Sequence, residues 1–431
     1  MVDREYPMKI VLAFYGTRGD VEPGIALGRE LARRGHDVCL AVPPDLIAFG
    51  ESAGLDVVAY GPDNQAWLES TRNFWARFFR NIWRVGELKK LLHDSREPGT
   101  RAWADMSASL VALTEDADLL ISGMSYQELV CNVAEYRTMP MATLLWFPVR
   151  VNGHLLPSVP APIIRAAMTA YEWLVSRGVK ANEEAQRRTL GLPENTLSAP
   201  ARLTARNALE IQAYDEVCFP GLATEWEPWN SRTPPRRPFV GTLTLSSPTA
   251  ADDAVLSWIQ AGPPPIFFGF GSIPVESPAD TIAMIAAACA RLNHRALVGA
   301  GWSDFDTTSA PEHVKIVGTV DFSRIFPACR AVVHHGGAGT TAASLRAGVP
   351  TLILWMADVQ VVWGHAIKHL KVGTARRFST TTEKSLVADL RTVLAPEYRV
   401  RAREVAAQMT DSVTSCSAAA DRIEEYILGL R

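Results

Sequence analysis

The sequence predicts an α/β protein of two doubly wound domains, each a parallel sheet with helices on both faces, facing one another across a cleft. Three observations predict this. Short apolar runs alternate with amphipathic helical stretches through the first half, and the same rhythm restarts after Pro263. A proline-dense, aperiodic stretch, Glu225 to Pro248, separates the two series. A chain of 431 residues is also too long for one ordinary core.

The elements follow in order. Lys9 to Phe14 reads as a buried strand broken at Gly16, with a helix from about Pro23 to Arg34 stopped by Gly35. Asp37 to Val42 is the next strand, Asp45 to Ala53 a helix, and Val57 to Tyr60 a third strand. After Pro263 come a strand at Pro265 to Phe270, a helix at Pro278 to Leu292, and strands at Arg295 to Gly299 and Val314 to Val317. Ala331 to His334 and Thr351 to Trp355 are strands flanking a helix that reads from Ala342 to Ala347. Pro228, Pro234, Pro235, Pro238 and Pro248 mark the connection, so the domains are drawn at 1–225 and 247–410 with a linker at 226–246. The last residues, 411–431, belong to a segment that is helical by period.

Composition bounds the function. Apolar content of 48% and charge of 21% describe a soluble globular protein, and a net charge of −3 gives no basic face for nucleic acid. Six cysteines are spread singly with no CxxC pair, which argues against structural zinc and a disulfide framework and fits a reducing cytoplasm. The polar Met1 to Pro7 does not read as a signal peptide, and the longest apolar stretches are strand-sized, so no membrane span is expected.

The most informative stretch is His334 to Thr341, His-His-Gly-Gly-Ala-Gly-Thr-Thr, between an apolar run and a small-residue helix. A glycine turn opening a helix offers free N–H groups and the positive end of the helix dipole, both of which favour a phosphate. The threonines add hydroxyl donors, and a histidine beside the turn can donate to a phosphate oxygen. A bare glycine turn could instead only pack helix on strand, but the flanking histidines and threonines favour the cradle. No lysine follows the glycines, so this is not a Walker loop, and it lies far from the N-terminus, where a nicotinamide-binding fingerprint would open the fold.

With GTRGDVEP at Gly16 to Pro23, FGFGS at Phe268 to Ser272 and HHGGAGTTAASLRAGVP at His334 to Pro350, the chain resembles the GT-B nucleotide-sugar glycosyltransferases over nearly its whole length. The likeness is to the branch holding bacterial antibiotic, sterol and mycobacterial glycopeptidolipid glycosyltransferases. It implies an acceptor-binding first domain, a nucleotide-sugar-binding second domain and a final helix crossing back onto the first. It also implies inverting transfer of a hexose from a UDP- or dTDP-sugar to a hydroxyl. A nucleotide-sugar epimerase and a non-catalytic nucleotide-sugar or lipid binder are the alternatives.

By this resemblance His335, Gly337, Gly339 and Thr340 surround the diphosphate, and Ser272 adds a second donor, although it could also be a turn serine. No DxD pair stands where a cation would be held, so neither metal nor cofactor is expected. His334 points to the opposite face of its strand, where it reads better as a packed residue orienting the loop. Asp20 takes the place of the acid–base residue, with Gly16 and Thr17 in the same loop; otherwise it is a helix-start aspartate favoured by the dipole. Trp302 lies at the base or ribose, or in the core, and Val320 lies where relatives read a pyrimidine through the main chain. At the sugar end relatives carry an acid–glutamine pair; here Val359 precedes Gln360 and the acid stands at Asp358, so either Asp358 reaches round to the sugar hydroxyls or the sugar is less hydroxylated on that side, as a 6-deoxyhexose is.

The acceptor side falls on Trp67 to Leu92, where Trp75, Phe78, Phe79 and Trp83 share one helical face and arginines the other. This is either an ordinary buried face or a wall for a lipid-like acceptor whose arginines meet an anionic membrane. His154, in the proline-rich Pro148 to Ile164, joins it as an acceptor-loop residue. The expected location is the cytoplasm, either free or peripheral on the inner face of the membrane.

Overall fold

The structure is a computed structural model and describes residues 7–64, 96–271, 275, 277–301, 305, 310–356 and 358–430. In the first half β1 Lys9–Ala13 leads into α1 Arg18–Arg33, β2 Asp37–Val42 into α2 Ile47–Glu51, and then β3 Asp56–Ala59. There follow α3 Arg96–Leu113, β4 Leu119–Ser122, α4 Gln127–Tyr136, β5 Met141–Leu145, α5 Ala161–Thr189, α6 Ala199–Ala205, β6 Leu209–Gln212 and α7 Leu222–Asn230. The second half holds α8 Ala250–Gln260, β7 Ile266–Gly269, α9 Pro278–Arg291, β8 Ala296–Gly299, β9 Val314–Val317 and α10 Phe322–Ile325. It continues with β10 Ala331–His334, α11 Ala338–Arg346, β11 Thr351–Trp355, α12 Asp358–Leu370, β12 Gly373–Arg377, α13 Glu383–Val393, α14 Pro396–Ala406 and α15 Ser412–Leu428.

Each half forms a six-stranded sheet, in the orders β3-β2-β1-β4-β5-β6 and β12-β11-β10-β7-β8-β9. Every strand pair is parallel. Both sheets reverse their winding beside the first strand, between β1 and β4 and between β7 and β10. That is the crevice where ligands of open parallel sheets bind. The strands qualify because they are buried on both faces: β4, β5 and β6 are buried at every residue, although β6 carries the polar Glu210 and Gln212 on one of them.

Two boundaries differ from the sequence reading. Helix α1 starts at Arg18, five residues before Pro23, which lies inside it. A Thr17–Asp20 capping arrangement starts the helix, whereas proline's preference for the first turn had marked the start. Asp20 therefore sits in the first helical turn and not in the preceding loop. The stretch expected as a linker opens with α7, which tolerates Pro228 in its interior. Beyond α7 the chain is zipped along β6, with Gln212 N–H donating to Pro238 O and Val240 N–H to Gln212 O.

One hydrophobic cluster runs through both halves, from Ile10, Leu12 and Phe14 through Phe219 and Trp226 to Trp363 and Ile367. Phe219 meets Trp363 edge to face at 5.3 Å, so the halves share buried aromatic surface. Helix α15 returns to α1, where the buried Arg34 guanidinium bonds Asp421 at 2.6 Å, Glu424 at 2.9 Å and Ser417 O at 3.0 Å. Among the described residues no helix is long and apolar enough to cross a membrane.

Candidate active site

In the first half the site begins where β1 gives way to α1. Gly16 has φ +137°, a conformation that side chains resist, and an ideal Cβ there would stand 2.4 Å from Asp20 Oδ2. The glycine is thus needed both for the turn and for the space that the carboxylate fills. Asp20 Oδ2 accepts the Thr17 N–H at 2.8 Å and the Thr17 hydroxyl at 3.0 Å. Asn64 Nδ2 donates to Gly16 O at 2.5 Å and fixes the turn from the far side. Burial raises the Asp20 pKa above its ordinary value, and the Thr17 bonds offset this in part. A carboxylate so placed, with one oxygen held and the other accepting nothing from the described residues, has a fixed direction and can accept a proton on its second oxygen.

In the second half the cradle lies at the end of β10. His334 is fully buried and its Nδ1 accepts the Gly336 N–H at 3.0 Å, the loop-orienting part that its strand position suggested. His335 points the other way and lies between two loops: a Cβ on Gly271 would meet its Cε1 at 2.5 Å, and a Cβ on Gly337 its Nε2 at 2.6 Å. Burial pushes His335 down to about 4, against the opposing effect of its bond to the Gly269 backbone, so the ring is neutral at neutral pH. Its Nδ1 is buried without a partner among the described residues.

Helix α11 has no side-chain cap at Gly337, and its first bond is Thr341 N–H to Gly337 O at 2.9 Å. The N–H groups of Ala338, Gly339 and Thr340 are left without intrahelical acceptors, at the positive end of the dipole. Thr341 turns its hydroxyl inward to Gly337 O at 2.8 Å, while the half-buried Thr340 donates to no described residue. Together these groups can bind a diphosphate and stabilise it as it leaves.

The two halves of the site are tied through the interdomain segment. Glu22, one turn along α1 from Arg18, binds the Arg18 guanidinium at 3.2 Å and accepts the Leu245 N–H at 3.1 Å. The neighbouring Thr244 methyl lies 3.7 Å from an ideal Cβ at Gly339. Arg346, in the last turn of α11, donates to Thr242 O at 2.6 Å, Thr244 Oγ1 at 3.0 Å and Thr410 O at 2.7 Å. Asn64, Glu22, Gly271 and Arg346 were not among the expected site residues. Glu22 stands inside a motif and could have been singled out; Asn64 meets Gly16 from 48 positions away, which no spacing rule reaches.

The remaining expected residues fall in several places. Gln360 is buried and its Oε1 accepts the Met356 N–H at 2.6 Å, so this oxygen braces the β11–α12 turn. Val359 is 44% exposed in the first turn of α12, which Asp358 opens. Val320 is half-buried and packs on the core beside α10. His154 lies 3.3 Å from Glu225, which also accepts Arg165 and the Gly153 N–H, so it is engaged in a network between α5 and α7. Ser272, Trp302, Trp75, Phe78, Phe79 and Trp83 lie outside the described residues. No group of three His, Cys, Asp or Glu suited to a metal ion occurs among the described residues.

Two facing Rossmann-like domains, with a carboxylate at one switch point and an anion cradle at the other, define the GT-B class of sugar-transferring enzyme. Known proteins agree. Residues 10–97 match the glycosyltransferase family 28 N-terminal domain, and residues 283–424 the erythromycin biosynthesis protein CIII-like C-terminal domain. An uncharacterized glycosyltransferase of Mycobacterium tuberculosis is 54% identical over 97% of this chain and 99% of its own length. The solved glycotransferase of kitacinnamycin covers 97% of this chain, and is itself covered over 98%, at TM-score 0.69 and 17% identity. The glycosyltransferase VinC in complex with dTDP gives 97% and 99% at TM-score 0.62 and 16% identity. The chain belongs to the GT-B glycosyltransferases.

Proposed function

We propose that this enzyme moves a hexose from a nucleoside diphosphate sugar to a hydroxyl of an apolar, lipid-like or natural-product acceptor, with inversion and without a metal ion. The carrying observation is the pairing of the uncapped α11 start and half-buried His335 with the directed Asp20 carboxylate. The acceptor oxygen attacks the anomeric carbon as the bond to the diphosphate oxygen breaks. Asp20 takes the hydroxyl proton on its unengaged Oδ1. The N–H groups of residues 338–340, with His335, carry the charge that develops on the leaving diphosphate. These fixed donors replace the cation that other transferases hold.

The donor reading rests on α12. An exposed valine where an acid would accept sugar hydroxyls suits a methyl or deoxy carbon, and the Gln360 oxygen beside it already accepts the Met356 N–H. We therefore take the donor to be a 6-deoxyhexose on dTDP, the nucleotide bound in the VinC structure. The acceptor wall is assigned to Trp75, Phe78, Phe79 and Trp83, with the arginines of that segment able to meet an anionic membrane from the cytoplasmic side.

The test is nucleotide release from a panel of dTDP- and UDP-sugars, with and without apolar alcohols and with a chelator present. Acceptor-dependent release that survives chelation is expected. Release that needs magnesium or manganese would contradict the cradle's role.

A further inference from the structure

Most described arginines that face a neighbour face a carboxylate: Arg34, Arg150, Arg165, Arg187, Arg202, Arg237, Arg291, Arg324 and Arg376 all do. Arg330, Arg399 and Arg403 do not. They line one hollow of about 250 Å³ with Pro350, Leu394, Pro396 and Val400, and no acidic residue lines it. None of the three makes a side-chain hydrogen bond or ion pair with a described residue. The hollow lies beside the N-terminal ends of β10 and β11, since Arg330 precedes Ala331 and Pro350 precedes Thr351. It is therefore on the opposite edge of the second sheet from the cradle.

The arrangement is costly without a counter-charge. Arg399 and Arg403 are four apart on α14, a like-charged pair that weakens a helix, and Arg330 adds a third positive charge from another element. The chain as a whole is acidic, with 46 Asp and Glu against 43 Lys and Arg, so carboxylates are not scarce. Guanidinium groups match phosphate oxygens in shape as well as charge. The rest of the lining is apolar, and Val400, 59% exposed, stands between the two α14 arginines. That floor suits the carbon body of a phosphate ester.

We propose that the Arg330–Arg399–Arg403 hollow is a second anion site, which takes a phosphate group on the face remote from catalysis. The phosphate is either free in solution or part of an anionic lipid headgroup. In the second case the second domain holds the enzyme against a membrane while the cleft stays open to its substrates.

The experiment compares the wild type with Arg399→Gln/Arg403→Gln at low ionic strength, where such contacts are least screened. Both side chains touch solvent and neither belongs to the cradle, so turnover without added anion should be unchanged, and the anion-free unfolding midpoint unchanged or slightly higher as the like-charge repulsion is relieved. With dTDP saturating the cradle, inorganic phosphate should still raise the wild-type midpoint, by about 1–2 °C, and should not raise the variant's. In the second arm the protein is sedimented with phosphatidylglycerol vesicles, with phosphatidylcholine vesicles as the neutral control. Sedimentation with the anionic vesicles alone, weakened about 30-fold in the variant, identifies the lipid headgroup as the source. A phosphate shift without sedimentation identifies the free anion. Equal responses of wild type and variant in both arms, no response in either, or a phosphate shift that dTDP abolishes would each overturn the site.

Discussion

Asp20 occupies the space that a side chain on Gly16 would need: an ideal Cβ on Gly16 lies 2.4 Å from Asp20 Oδ2. The turn out of β1 and the direction of the carboxylate are one feature. Gly16→Ala should therefore do two things. The strained φ should cost about 1–3 kcal/mol of stability, read from denaturant unfolding. The displaced carboxylate should lower kcat in protein that remains folded. Full kcat in Gly16→Ala would show that the position of Asp20 is not set by this contact.

Gly337 separates the space argument from backbone strain. Its φ of −63° is open to any residue, but a Cβ would stand 2.6 Å from His335 Nε2. Gly337→Ala should weaken dTDP binding about tenfold or more, as one charge-assisted donor is moved away, with little change in unfolding midpoint. Unchanged dTDP affinity by calorimetry would remove His335 from the diphosphate site.

His335 also carries a pH signature. Its pKa falls from the ordinary 6.5 to about 4 on folding, so its contribution to stability is present above 6.5 and is lost as pH falls toward 4. One ring nitrogen is committed to Gly269 and Nδ1 is an unpaired acceptor, so donating to a phosphate oxygen through Nδ1 requires a proton. Binding of dTDP near pH 6 should take up more protons in the wild type than in His335→Gln, measured by calorimetry in buffers of different ionisation enthalpy. Equal uptake in the two proteins would mean that His335 stays neutral on binding.

Much of this was legible in the sequence, and the exceptions have causes. The strands were readable because parallel strands buried on both faces are continuous apolar runs, as at β1 and β10. The cradle was readable because one local motif supplies the strand end, the glycines and the helix start. The start of α1 was not, because Pro23 looked like a first-turn residue while the Thr17–Asp20 arrangement governed the start. The Met356 bond to the Gln360 oxygen was not readable either, since it depends on how α12 meets β11. The Asn64 bond to Gly16, the Gly271 contact with His335 and the Arg346 clamp on residues 242–244 all join distant segments. Only the folded chain reveals them.

The proposed donor choice rests on Val359. At equal concentrations, a dTDP-6-deoxyhexose should be consumed in preference to UDP-glucose. Replacing the valine, Val359→Asp, should shift the preference toward the hydroxylated sugar, by about 1–3 kcal/mol in relative kcat/KM, as an acceptor becomes available for its hydroxyl. Preference for UDP-glucose in the wild type would reject the deoxy-sugar reading.

Asp20→Asn separates removal of the acceptor proton, assigned to Asp20, from donor binding, assigned to the cradle. Burial raises the Asp20 carboxyl above its ordinary 3.8, so its protonated form contributes stability at low pH, and that contribution is lost as pH rises through the folded value. The amide, which can still accept from Thr17, should then leave the unfolding midpoint at pH 7 unchanged or higher. Donor affinity should be nearly intact, and kcat with an unactivated alcohol acceptor should fall by about 10²–10⁴-fold. A near-normal kcat in folded, donor-binding Asp20→Asn would contradict the account.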